Sequence, residues 1–321
     1  MSKVAVIGAT GHVGRFVSYT MSEIPFVDEI VLFGRKGNEE KLNGLIHDFR
    51  DAFAARGRSL SLIPSTDPRD LHGSDIIILT AGIPRKPGQD RMDLAYENGR
   101  LVKEYAKLIS LAAPDSILFV VTNPVDIMTS VALRYSGFPK NRVFGLGTHL
   151  DSMRFKSCIA QFFNVHVNEV HTRIIGEHGE SMVPLISATS IGGIDIQHLP
   201  TFEELPVEEM IESVKTAGSA IIGEIGATIY GPGEAIATIV TTVLGNENRI
   251  LTVSSYVKSE VHDIGDVCIG VPSRLNKEGS NPIPIQISED EVKLFAESVS
   301  KIRSATADIF ELLDAESEIK D

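Results

Sequence analysis

The chain has 321 residues, of which 43% are hydrophobic and 23% charged, a make-up that supports one large or two ordinary globular domains and excludes a disordered chain. Its formal net charge of −13 argues against nucleic acid as a partner, because phosphate binding needs a basic face. The two cysteines, Cys158 and Cys268, are too few for a disulfide framework and read as small buried apolar residues in a reducing compartment.

Strand-like residues begin at Lys3, leaving no room for a leader layout, and no apolar run approaches the ~18 residues needed to span a bilayer. The expectation is therefore a cytoplasmic protein with no membrane partner. Four short runs rich in Val and Ile follow in the first half: Lys3–Ile7, Ile30–Phe33, Asp75–Thr80 and Ser116–Thr122. They are continuous rather than alternating, as strands buried on both faces should be. Stretches of helical period such as Arg15–Ile24 and Asp93–Leu111 lie between them. Strand–helix repetition of this kind predicts an α/β fold with a doubly wound parallel sheet.

Gly8-Ala9-Thr10-Gly11-His12-Val13-Gly14 sits between the first strand and its helix. Such a turn lets backbone N–H groups approach a pyrophosphate, whose charge then lies at the positive end of the helix. The spacing alone is weak; its place between strand and helix makes it good support for a dinucleotide site. At the tip of the second strand an NAD site normally carries an acid for the ribose hydroxyls. Here the strand ends in Gly34-Arg35-Lys36, with two cations and no carboxylate. That predicts a preference for NADP(H), with Arg35 as the main ligand of the 2′-phosphate and NAD as the second choice.

The second half begins at residue 147, which divides the chain into 1–146 and 147–321. It shows a helical stretch, Asp151–Phe163, a hairpin-like region over Val170–Ile175, and long helices. In the last helix Ser288 and Glu291 make a capping box, and Leu294, Phe295, Val299, Ile302, Ile309 and Leu312 recur at helical spacing. Mixed α and β structure, an α+β domain, is expected there.

Oxidising a secondary alcohol by hydride loss needs a base for the hydroxyl proton, and His suits neutral pH. His178 stands between Gly176 and Gly179, in a turn from which a ring can reach a cleft. Asp151 and Arg154 are three residues apart, hence on one helical face, and Arg binds a carboxylate with two parallel donors. Arg85 and Arg91 lie in a loop with Pro84, Pro87 and Gly88 that can close over a substrate and expel water. His171, seven residues before His178, has no Cys or His cluster around it, and hydride transfer to a nicotinamide needs no metal, so none is expected.

Gly147-Thr-His-Leu-Asp151-Ser-Met-Arg154, Ile174-Ile-Gly-Glu-His178-Gly-Glu-Ser-Met-Val-Pro184, the Ala81–Leu94 loop and Val121-Thr-Asn123-Pro124 occur in one order along nearly the whole chain. Together they resemble the lactate/malate dehydrogenase superfamily, and the first two look most like its archaeal malate members. The resemblance implies a Rossmann first domain and a catalytic α+β second domain. It implies that His178 exchanges the proton, Asp151 holds its ring, Arg154 clamps the C1 carboxylate and Arg91 polarises the C2 oxygen. Arg85 would bind a second carboxylate, which favours malate and oxaloacetate over lactate and pyruvate. Asn123 would touch substrate, Val121, Thr122 and Asn123 would line the nicotinamide, Asn98 would assist the cofactor and Thr228 would roof the pocket. A homodimer or homotetramer is likewise implied. The alternatives are a broad-specificity or L-lactate enzyme of the same superfamily and, more remotely, a non-catalytic dinucleotide sensor. A short-chain reductase is excluded, because none of Tyr19, Tyr96, Tyr105, Tyr135, Tyr230 or Tyr256 has the required Lys four residues later.

Overall fold

The computed structural model describes residues 2–84 and 91–318. Among the described residues of the first half six strands alternate with four helices. They are β1 (Ser2–Ile7), α1 (His12–Met21), β2 (Val27–Phe33), α2 (Glu39–Ala55), β3 (Ser61–Ser65), β4 (Ile76–Leu79), α3 (Arg91–Ala112), β5 (Ile117–Val120), α4 (Val125–Ser136) and β6 (Val143–Gly145). The strands are parallel in the order β3-β2-β1-β4-β5-β6, so the chain reverses direction across the sheet between β1 and β4. In open sheets of this kind ligands sit at that reversal, outside the carboxyl ends of the strands.

Alternation along each strand explains why the runs are continuously apolar. Val4, Val6, Ile30, Leu32, Ile76 and Ile78 face one layer, and Ala5, Ile7, Val31, Phe33, Ile77 and Leu79 face the other. Both layers are helical, so β4 and β5 are buried throughout and β1 from Val4 onward, whereas the edge strand β3 leaves Ser61 and Pro64 exposed. Burying a branched side chain of this size contributes about 1.5–3 kcal/mol, and the two layers hold dozens of them.

The second half comprises α5 (His149–Phe162), β7 (Val170–His171), β8 (Ile174–Gly176), β9 (Met182–Pro184), β10 (Ser190–Ile191), β11 (Ile194–Asp195), α6 (Val207–Ile225), α7 (Tyr230–Leu244), β12 (Arg249–Val257), β13 (Val267–Asn276), β14 (Gly279–Pro282) and α8 (Glu289–Glu318). It does not stand apart. Strand β12 pairs antiparallel with β6 through Ser254 and Gly145, and β13, β8 and β9 extend the same sheet. Residues of α7 (Ala235, Ile236, Ile239, Val240 and Val243) join the core on the β1–β4 side.

Two expectations need adjustment. The hairpin lies at the end of the expected region: β8 pairs β9 across the polar turn, with Gly176 opposite Met182, whereas β7 pairs β10 in a small separate sheet. The capping box is present, with reciprocal bonds between Ser288 and Glu291. Its apolar stripe, however, runs Phe295, Val299, Ile302, Ile309 and Leu313, while Leu294 and Leu312 are about half exposed. A 3.6-residue period carries the buried face one position past Leu312 by that turn.

Candidate active site

The turn from β1 to α1 is built by backbone crowding. Gly8 has φ +90°, and a Cβ there would meet the Ala81 amide nitrogen at 2.7 Å. A Cβ on Gly14 would stand 2.2 Å from the Gly8 carbonyl oxygen. Neither position admits a side chain, so the loops after β1 and β4 lie against each other. Gly11 caps α1 without a side-chain hydrogen bond. The first-turn N–H groups therefore keep their capacity for an anion. This fits a dinucleotide pyrophosphate held by the Gly8–Gly14 backbone. At the end of β2, Gly34 is buried and Arg35 and Lys36 are exposed, which leaves the two cations at the strand tip.

The loop after β5 is fixed from the side. Thr122 donates its hydroxyl to the Ala81 carbonyl at 2.7 Å. Asn98 of α3 is buried; its amide nitrogen donates to the Asn123 carbonyl at 2.8 Å, and its oxygen accepts the Ile83 N–H at 2.7 Å. The Asn98 side chain thus braces the loops after β4 and β5, leaving Asn123 itself exposed. The Asn123–Pro124 peptide bond is cis.

His178 occupies the turn between β8 and β9, and its Nδ1 lies 2.6 Å from Asp151 Oδ2. Asp151 comes from the first turn of α5 and is 1% exposed, whereas the imidazole is 26% exposed. Arg154, one turn along α5, places Nη1 3.4 Å from the other Asp151 oxygen. The Asp151 charge, acting against the cost of burial, raises the His178 pKa to about 9. An imidazole with one nitrogen on a buried carboxylate and a partly open ring can take and return a proton.

Side chains outside the sequence expectations hold this turn. The His178 N–H donates to Asp126 Oδ2 at 2.8 Å, and Ser254 donates to Asp126 Oδ1 at 2.6 Å. The Glu177 N–H donates to Ser298 Oγ at 2.8 Å. Glu177 in turn accepts from Lys301 at 2.7 Å and from the Ser181 hydroxyl at 2.5 Å. Burial works against the Glu177 charge, but Lys301 and Ser181 keep its pKa below the ordinary value. Asp126 carried one sequence signal, its place three residues after Asn123; Ser298 and Lys301 carried none.

Arg85 lies outside the described residues, and Arg91 is described only as the first residue of α3. Thr228 is partly buried in the loop between α6 and α7. Among the described residues no helix is long and apolar enough to cross a membrane.

Known proteins resemble this chain over both of its halves. A family model described as "lactate/malate dehydrogenase, NAD binding domain" matches residues 2–145, and "lactate/malate dehydrogenase, alpha/beta C-terminal domain" matches residues 148–313. The chain is 50% identical to a malate dehydrogenase of Methanothermobacter marburgensis, over 98% of this chain and 99% of that one. It is 48% identical to an L-2-hydroxycarboxylate dehydrogenase (NAD(P)(+)) of Methanocaldococcus jannaschii, over 94% and 97%. A structure of malate dehydrogenase from Archaeoglobus fulgidus in complex with NADH superposes with a TM-score of 0.85 at 33% identity, covering 96% of this chain and 99% of that one.

Proposed function

The chain belongs to the lactate/malate dehydrogenase family and is a nicotinamide-dependent dehydrogenase of 2-hydroxy acids; we propose that its substrate pair is (S)-malate and oxaloacetate. The His178–Asp151 pair at 2.6 Å, next to Arg154, supports proton exchange with a 2-hydroxy acid, and the 50% identity to a malate dehydrogenase supports the choice of malate. When bound, the nicotinamide supplies or accepts the hydride at C2 of the acid. In oxaloacetate reduction the His178 imidazolium gives its proton to the C2 oxygen, and in malate oxidation the neutral ring takes it back. Asp151 keeps the ring oriented and stabilises the charged form, and does not itself carry the proton away.

Arg154 clamps the C1 carboxylate with two donors, and Arg91 polarises the C2 oxygen. Arg85 binds the second carboxylate. A charged group left without a partner in a closed site costs several kcal/mol, so this contact selects a dicarboxylate. Asn123 hydrogen-bonds the substrate, and Thr228 contributes to the roof. The Gly8–Gly14 turn, Gly34, Val121 and Thr122 hold the cofactor, with Asn98 acting through the loops that it braces. Arg35 and Lys36 favour NADP(H), and NAD(H) binds as well. The reading extends to a cytoplasmic homodimer or homotetramer with 147–321 as the substrate domain.

The test is a panel of four 2-oxo acids, oxaloacetate and pyruvate among them, against NADH and NADPH. Oxaloacetate should give the highest kcat/KM, with NADPH above NADH. Equal rates with pyruvate would replace the malate reading by a broad-specificity one, and a clear preference for NADH would remove the role given to Arg35.

A further inference from the structure

A second carboxylate touches the proton-exchanging histidine, and the reaction as described gives it no task. Asp126 lies in the first turn of α4 and is 2% exposed. Its two oxygens serve different elements: Oδ2 takes the His178 main-chain N–H, and Oδ1 takes the Ser254 hydroxyl at 2.6 Å. Ser254 is also the residue where β12 meets β6. One side chain therefore joins the loop after β5, the seam of the extended sheet and the β8–β9 turn.

A simple brace would not need a charge at this depth. Burying a carboxylate is costly even when it is hydrogen-bonded, and an amide of the same shape accepts the same main-chain N–H. The helix N-terminus offsets part of that cost. What a carboxylate adds is a negative charge near the imidazole. The other ionisable groups facing His178 are Asp151, which stabilises its charged form, and Arg154, which opposes it. Those facing Asp126 are His178, Glu177 and the buried, un-ionised thiol of Cys268 on β13.

We propose that Asp126 is a positioning residue of the reaction: its carboxylate fixes the His178 main chain relative to Asn123 and adds a second negative charge that favours the imidazolium. Asp126 and Asn123 are three residues apart, so the amide proposed to meet the substrate and the anchor of the proton carrier move as one unit. Burial raises the Asp126 carboxyl to about 6, so the charge is present at neutral pH and is lost on acidification. The inference deepens the dehydrogenase reading and rests on it for its kinetic part, but its first readout does not need turnover.

The experiment compares wild type with Asp126→Asn as full-length protein, using histidine labelled with 13C at Cε1 and His178→Asn to assign the resonance. The His178 pKa should fall by about one unit in Asp126→Asn, the size expected for losing one nearby charge in a partly buried site. The pH profile of oxaloacetate reduction should move by the same amount, with kcat down about tenfold and KM nearly unchanged. A purely structural role would lower Tm and leave the imidazole titration in place. Should Asp126→Asn fail to fold, the wild type decides: its His178 resonance should show a second, smaller inflection near pH 6 as Asp126 protonates. An unmoved His178 pKa in the variant, or a single inflection in the wild type, overturns the inference. A wild type that reduces no 2-oxo acid overturns the functional reading instead, whatever the titration shows.

Discussion

Two histidines flank the same aspartate, and their surroundings drive them in opposite directions. His178 meets Asp151 at 2.6 Å and is raised to about 9. His149, the first residue of α5, is 5% exposed, and among the described residues neither ring nitrogen has a hydrogen-bond partner. Burial, with Arg173 and Arg249 nearby, lowers it to about 4. Both are in protein surroundings, so desolvation alone does not set the outcome. A carboxylate at hydrogen-bond distance lets one ring hold a proton at neutral pH, as the proposed proton carrier must, and the lack of one keeps the other neutral.

The strongest way to break this comparison is to exchange the roles. His178→Asn should lower kcat by about 10²–10⁴-fold, the usual weight of a general acid–base group, with dinucleotide affinity nearly unchanged. Equal loss of turnover and cofactor binding, measured by fluorescence titration, would make His178 structural. A smaller effect should come from Asp151→Asn, which removes the main cause of the raised pKa. In wild type, malate oxidation needs the neutral ring, so its kcat/KM should rise with pH up to about 9, while oxaloacetate reduction falls above that value. In Asp151→Asn both limbs should move to lower pH. Initial rates across the range check the sign.

The smallest effect belongs to His149→Leu, expected to leave kcat/KM within about twofold. It removes two buried nitrogens without partners, so stability should stay level or rise by about 1 kcal/mol. Its pH dependence is more telling. As pH falls through the ordinary His value the unfolded chain takes up a proton, but the folded chain waits until about 4, so wild type loses stability across that window. His178 acts oppositely: its contribution is full below the ordinary His value and is lost as pH rises through about 9. Denaturant melts of His149→Leu should show a flatter acid side and an unchanged alkaline side.

How much of this could be read beforehand varied with the range of the forces involved. The four buried strands were legible because a parallel sheet covered on both faces leaves continuous apolar runs. The glycine turn was legible because only a residue without Cβ fits at Gly8 and Gly14. The Asp151–Arg154 face followed from helical spacing, whereas the closeness of His178, 27 residues away, came from the family resemblance and not from spacing. The β12–β6 seam escaped because antiparallel pairing across more than a hundred residues leaves no local periodicity. Leu312 was misread for a local reason, a small phase drift that the count of apolar residues hides. Asp126, Ser298 and Lys301 are polar residues in helices, and only the assembled fold shows which ones face inward.

The clamp of α8 on the β8–β9 turn also bears on how the enzyme is made. Ser298 and Lys301 reach back across 121 and 124 positions to Glu177. A ribosome that has released the histidine and its aspartate has not yet released the groups that fasten them. Until α8 emerges and docks, Glu177 has Ser181 but lacks Lys301, and its main-chain N–H lacks Ser298, so the turn that holds His178 reaches its finished form only late in synthesis.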